Sequence, residues 1–274
     1  MKNLFLSVVV LTGLGLCSCT HPSKDATSQD SGATLNQEMS TVMAGDYSLD
    51  MKSLMSHVPG YDSSGQLEIF EITNEKIEFV DSVMPLDAFI CVPAAFTKEY
   101  FDRFTPEMVA NKYITNGVKK QGYDCEISKS GCLAIDENGE WYIGKPNEEK
   151  YKNATNYFEQ NLIIDNYKVN PKKAITYDAS LHFRCLAEVN DKLALIQTII
   201  PTSYPTFIEW LQEIGVKNAL YLDMGGWSFG YFRDGDTYYD INPVGSKEAL
   251  HHNKIENIKR DPNQTNWIVV RNRK

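Results

Sequence analysis

Positive charge is scarce in this chain. Its 274 residues carry 27 Lys and Arg against 36 Asp and Glu, a formal net charge of −9. That balance argues against a nucleic-acid partner and against a polybasic lipid-binding face, both of which need clustered cations. It leaves room for an anionic small molecule, because one arginine and a few backbone amides make a local positive pocket within a negative surface. Long apolar runs are also missing. The longest, LFLSVVVLTGLGL from Leu4 to Leu16, is short of the roughly 20 residues a spanning helix needs. Histidine and cysteine are few, five and six, and their spacings match no usual metal pattern. The adjacent His251-His252 pair sits in a polar tail segment where surface histidines are the default. No metal and no cofactor is expected.

What stands at the N-terminus gives the chain an address. Met1-Lys2 followed by that apolar run reads as a secretory signal peptide. Leu16-Cys17-Ser18-Cys19 resembles a bacterial lipobox, which implies cleavage after Ser18, diacylation of Cys19 and residence on the cell envelope as an exported, lipid-anchored protein. From Thr20 to about Asp46 the composition turns to Ser, Thr, Asp, Gln and Gly, the signature of a tether. The expected organisation is therefore a signal peptide over 1–18, a lipidated Cys19 and tether over 19–46, and one domain over 47–274. In an oxidising compartment Cys125 and Cys132, flanked by Gly122 and Gly131, are expected to form a disulfide, while Cys91 and Cys185 lie in apolar runs and read as buried free thiols.

Beyond the tether, strand signals dominate. Leu67–Ile72 and Ile77–Val83 alternate around Thr73-Asn74, and Ala88–Val92 is a continuous apolar run. Cys132–Ile135 and Trp141–Ile143 flank Asn138-Gly139, and Tyr231-Phe232 and Tyr238-Tyr239 flank Asp234-Gly235, both hairpin signals. Leu193–Ile200 and Trp267–Val270 are further strands. Thr105-Pro106-Glu107 predicts a helix to about Tyr113. A second helix is predicted from Pro205, with Thr206 and Glu209 at capping-box spacing and Gly215 as its stop. The expected fold class is α+β, mostly antiparallel or mixed sheet with a few helices.

The segment ALYLDMGGWSFG, Ala219 to Gly230, combines an apolar strand with an acid, Asp223, and a loop that Gly225 and Gly226 let bend sharply. A plain tight turn between two strands accounts for the same residues. The order of the surrounding signals, however, resembles the phosphodiester glycosidase domain family. Pro93-Ala94-Ala95-Phe96, Ser130 to Ile135 with Asn138-Gly139, Glu159-Gln160-Asn161-Leu162-Ile163, His182-Phe183-Arg184-Cys185, Glu213-Ile214-Gly215 and Leu222-Asp223-Met224-Gly225-Gly226-Trp227-Ser228 follow the family's sequence of segments. Three residues depart from it: Pro93 replaces the family's Asn, Met224 its first loop glycine, and Trp227 is bulky before Ser228.

The resemblance implies hydrolysis of a sugar from a phosphodiester. Such chemistry expels a phosphate monoester, a good leaving group, and needs a cation for the phosphate and a carboxylate for the oxocarbenium-like centre or the attacking water. Arg184 fits the first role, since guanidinium meets phosphate oxygens bidentately, although a structural ion pair explains it equally well. Asp223 fits the second. Gly225, Gly226, Ser228 and Gln160 are candidate polar contacts, Trp227 a stacking face for a sugar, and His182 a pocket residue or a structural histidine. A second carboxylate is left open among Glu159, Asp165, Asp178 and Glu188. The rival is an inactive relative that binds a glycan or another partner without turnover, the reading that Pro93 favours.

Overall fold

The computed structural model describes residues 61–64, 66–73, 75–97, 109–170, 180–224, 230–244, 250–258 and 264–272. All of them belong to the unit Val42–Lys274. Cys19 and the loop residues Gly225, Gly226, Trp227 and Ser228 lie outside the described residues, as does Asp178.

Three antiparallel sheets account for nearly all the regular structure. The seven-stranded sheet comprises β1 (Tyr61–Ser64), β2 (Leu67–Ile72), β10 (Leu162–Asp165), β11 (Lys168–Val169), β12 (Arg184–Val189), β13 (Lys192–Thr198) and β14 (Val216–Tyr221), in the order β1-β2-β13-β12-β14-β10-β11. The six-stranded sheet comprises β3 (Glu75–Asp81), β4 (Ile90–Pro93), β15 (Tyr231–Asp234), β16 (Thr237–Asp240), β17 (Lys254–Ile255) and β18 (Asn266–Asn272), in the order β17-β16-β15-β4-β18-β3. The five-stranded sheet holds β5 (Lys112–Thr115), β6 (Val118–Gln121), β7 (Gly131–Asp136), β8 (Trp141–Gly144) and β9 (Ala154–Gln160), in the order β6-β5-β9-β7-β8.

Helix is sparser than an α+β class implies. Among the described residues there are two α-helices, α1 (Glu148–Asn153) and α2 (Tyr204–Glu213), and the chain is mostly β. Asn147 caps α1, its side chain accepting from the Glu149 and Lys150 amides. The cap of α2 is Ser203, whose hydroxyl accepts from the Thr206 amide, so the start lies ahead of the predicted Thr206 box, and Gly215 at φ +79° ends the helix as expected. Tyr204, Phe207, Ile208 and Leu211 recur at helical spacing and pack on the outer face of the seven-stranded sheet beside Cys185, Ala187 and Tyr221. Burying one side chain such as Phe207 contributes about 1.5–3 kcal/mol.

The inner face of that sheet meets the other two sheets in one shared core. Phe70, Leu186, Leu195 and Leu220 come from the seven-stranded sheet, Val92, Phe232 and Ile268 from the six-stranded, and Leu133 and Phe158 from the five-stranded. Coverage on both faces explains why β12 and β13 are buried almost throughout and do not alternate.

Several sequence expectations change here. The two strands expected on either side of a Thr73-Asn74 turn do not pair with each other: β2 pairs with β1 and β13, whereas β3 crosses to the six-stranded sheet and pairs with β18. The helix expected to end near Tyr113 does not reach it, because Lys112–Thr115 is strand β5, paired with β6 and β9; residues 101–108 lie outside the described residues. Both predicted hairpins form. Cys132 pairs with Gly144 and Ile135 with Trp141, while Asp234 pairs with Thr237, which sets the second turn one residue later, at Gly235-Asp236.

The expected Cys125–Cys132 disulfide is not formed; both are buried free thiols. Cys132 belongs to β7 and packs with Ile114, Ala154 and Tyr157, its Sγ 3.7 Å from the Lys145 carbonyl. Cys125 sits in a loop held by Asn111, which accepts its amide at 2.9 Å and donates to its carbonyl at 3.0 Å. Closeness in sequence does not bring the two thiols together, because a strand fixes one and a loop clamp the other. Burial pushes the Cys132 thiol up to about 12 and raises those of Cys91 and Cys185 as well, which keeps all three protonated and unreactive.

Candidate functional site

Three strands of the seven-stranded sheet carry a polar residue at the same level on the inner face. Arg184 of β12 lies opposite Gln197 of β13, and Gln197 lies opposite Glu68 of β2. One level further in, the same strands present Leu186, Leu195 and Phe70 to the core. Side chains alternate along a strand, so residues two apart share a face. The row Glu68–Gln197–Arg184 is therefore built into core-facing positions, and all three residues are buried.

Bonds join the row into a chain. The Arg184 Nε donates to Gln197 Oε1 at 2.8 Å, and Gln197 Nε2 donates to Glu68 Oε2 at 2.7 Å and to the Ile241 carbonyl at 2.6 Å. The segment after β16 closes over the row from the six-stranded sheet. Asn242 accepts from Arg184 Nη2 at 3.0 Å and is itself held by Asp240 Oδ1, which takes its backbone and side-chain N–H at 2.9 and 2.8 Å. His252, also buried, bonds the Asp240 carbonyl through Nδ1 at 2.7 Å and Glu68 Oε1 through Nε2 at 2.8 Å. A carbonyl only accepts, so Nδ1 carries a proton.

Arg184 is fully buried, and its Nη1 has no hydrogen-bond partner among the described residues. Burial pushes the guanidinium down to about 10, against the pull of Asp240, Glu68 and Tyr221, so it stays cationic at neutral pH. Burial likewise raises the Asp240 carboxyl, opposed by Asn242, His252 and Arg184. An orphaned buried donor costs about 1–3 kcal/mol, which makes the open N–H a place where a ligand oxygen would be favourable.

Asp223 lies two residues beyond β14, beside this row. The Leu222 amide donates to the Arg184 carbonyl at 3.0 Å, the Tyr221 amide to the Asn161 carbonyl at 2.8 Å and the Asp223 amide to the Ala94 carbonyl at 2.9 Å. Segments from all three sheets thus converge on the end of β14. Asp223 is buried, and with burial and Cys125 it helps to raise the Tyr123 phenol. Gln160 ends β9, paired with Gly131; its Oε1 accepts the Asn161 amide at 2.9 Å, and its fully buried Nε2 has no partner among the described residues. Backbone bonds thus join the segments that carry Asp223, Arg184 and Gln160 at the end of β14, while the carboxylates whose charge acts on Arg184 are Asp240 and Glu68.

Other candidates go elsewhere. His182 precedes β12 and is half-buried, with Nδ1 3.3 Å from the Thr198 carbonyl, and burial lowers its pKa, which favours a neutral ring tying two strand ends together. Glu159 accepts from the Tyr157 hydroxyl and faces Lys112, Asp165 pairs with Lys145, and Glu188 with Lys217 and Asn218. The carboxylates that accompany Arg184 are instead Glu68 and Asp240, which the sequence reading missed together with Gln197 and Asn242, and His252, expected at the surface, is buried among them. The signal for Glu68 was its phase: it shares a strand face with Phe70 and Ile72. Among the described residues no three His, Cys, Asp or Glu side chains cluster as a metal site needs.

No family model and no curated protein matches the chain. Among solved structures, the fold is similar to the catalytic domain of zebrafish N-acetylglucosamine-1-phosphodiester alpha-N-acetylglucosaminidase, auto-inhibited by its pro-peptide, at 11% identity over 76% of this chain and 77% of that one, with a TM-score of 0.51. A hypothetical protein from Synechocystis aligns at 12% identity over 77% of this chain and 60% of its own, with a TM-score of 0.43. The zebrafish likeness is one of fold.

Proposed function

We propose that the chain is a hydrolase that releases a sugar from a glycosyl-1-phosphodiester, acting from the outer surface of a membrane to which Cys19 anchors it. Water adds at the anomeric carbon, the bond from that carbon to the phosphate oxygen breaks, and a phosphate monoester leaves. The observation that carries this reading is the Nη1–H of the buried Arg184, unpartnered among the described residues, a cationic donor on the same backbone junction as Asp223. The likeness to a phosphodiester glycosidase catalytic domain supports it.

In this reading Arg184 binds a phosphate oxygen and Gln160 Nε2 offers a second donor. Asp223 supplies the carboxylate, either stabilising positive charge at the anomeric carbon or taking a proton from the attacking water. Since the leaving group is already a weak base, no strong general acid is required. The test is incubation of the chain from Thr20 onward, without the lipidated Cys19, with a panel of sugar-1-phosphodiesters. Free sugar and phosphate monoester in equal amounts are expected, and no product from any member overturns the hydrolase assignment.

One observation favours a second reading. Pro93, where the related family has Asn, is buried in β4 opposite Trp267 and has no side-chain donor or acceptor. A relative that binds sugar phosphodiesters without cleaving them would give calorimetric binding and no product in the same panel.

A further inference from the structure

We propose that Gln197 is the positioning residue of the site: it sets the rotation of the Arg184 guanidinium so that Nη1–H is presented to an anionic oxygen. The inference rests on the reading that Arg184 holds the phosphate. A guanidinium is planar, so anchoring two of its nitrogens fixes the direction of the third. Nε is anchored by Gln197 and Nη2 by Asn242.

Gln197 is itself unable to turn. Its Nε2 donates to two acceptors, Glu68 Oε2 and the Ile241 carbonyl, so exchanging amide oxygen and nitrogen would set acceptor against acceptor on that side and donor against donor at Arg184. Glu68 is held in turn by His252, and His252 by the Asp240 carbonyl. Each member therefore has its orientation imposed by the next, and the chain ends on backbone.

The identity of the residue matters as much as its place. A carboxylate at 197 would also accept from Nε, but as an ion pair it would neutralise the charge that an anionic ligand needs. A neutral amide orients the guanidinium and leaves its charge available, while the nearest carboxylates, Glu68 and Asp240, are bonded to Gln197 and Asn242. The arrangement is that of a preorganised donor.

The experiment uses Gln197→Leu and Gln197→Glu in the full-length chain with two probes, the methyl phosphodiester of N-acetylglucosamine 1-phosphate and free N-acetylglucosamine. Gln197→Leu is expected to weaken diester binding by about tenfold or more, the loss of one charge-assisted bond, with binding of the free sugar unchanged. Gln197→Glu is expected to bind the diester poorly from pH 8 to pH 5, because pairing with Arg184 keeps the new carboxylate ionised and cancels the charge that the diester needs. The diester keeps one negative charge over that range. Glu68 on β2, Asp240 on β16 and His252 surround the pair, and Tyr221 on β14 acts on Arg184 through space, in parent and variant alike, so the parent's own profile is the baseline.

A readout independent of any ligand is hydrogen exchange at the Arg184 Nε–H by ¹⁵N NMR. It should be slow in the parent and fast in a folded Gln197→Leu chain. Slow exchange in that variant, fast exchange in the parent, or diester affinity and pH profile unchanged in both variants overturns the positioning role. A parent that binds no diester overturns the phosphodiester reading instead, and the exchange measurement then decides the positioning by itself.

Discussion

At the scale of single residues, Asp223 and Arg184 differ in what a substitution tests. In the proposed hydrolase Asp223 acts through its charge, so Asp223→Asn, which keeps shape, should abolish hydrolysis while leaving phosphodiester binding nearly unchanged; wild-type turnover by this variant would remove Asp223 from the chemistry. Arg184 is woven into the core. Arg184→Ala leaves the acceptors of Gln197 and Asn242 unpaired beside two carboxylates, an expected loss of about 3–5 kcal/mol in denaturant unfolding. Arg184→Lys is the sharper probe of function. It keeps the charge but lacks the planar fork, and phosphodiester binding measured by calorimetry should fall by about tenfold or more, while free-sugar binding should hold. Equal loss for both ligands would mean that the arginine shapes the pocket without meeting the phosphate.

At the scale of elements, the site depends on how closely strands approach. Gly131 opens β7 opposite Gln160, and a Cβ added there would stand 2.6 Å from the Leu162 Cβ and 2.8 Å from the Leu220 Cδ1. Gly131→Ala should therefore cost about 1–3 kcal/mol by overpacking and displace the neighbouring Gln160, read as a lower Tm together with weaker ligand binding. Legibility varied with the reach of the signal. The hairpins of β7–β8 and β15–β16 and the end of α2 at Gly215 were readable because turn chemistry is local. The partners of β2 and β3 were not: adjacent alternating strands look like a hairpin in sequence, and only pairing to β13 and β18, more than a hundred residues away, sends them into different sheets. The Cys125–Cys132 expectation failed in the same way, on closeness along the chain.

At the scale of the whole molecule, the chain's expected address and its candidate site were read from different kinds of information. If Cys19 is the lipidated residue, Cys19→Ala should abolish fatty-acid labelling and release the protein from membranes, and persistent labelling would refute the lipobox reading. That prediction depends on local residue types alone, as export signals do. The sequence by itself also determined the strand-rich character and the apolar strand that ends at Asp223, because each follows from residue type and short-range periodicity, whereas Arg184 became the candidate cation through the resemblance of its segment to the phosphodiester glycosidase family. Tertiary structure alone decided which carboxylates and amides surround that arginine. Glu68, Gln197, Asp240, Asn242 and His252 are scattered over nearly two hundred residues, and each is unremarkable in its own segment. They meet because β2, β13 and β12 stand side by side in one register and the end of β16 closes over them. Register is a long-range property set by packing of the shared core, so no local pattern encodes it.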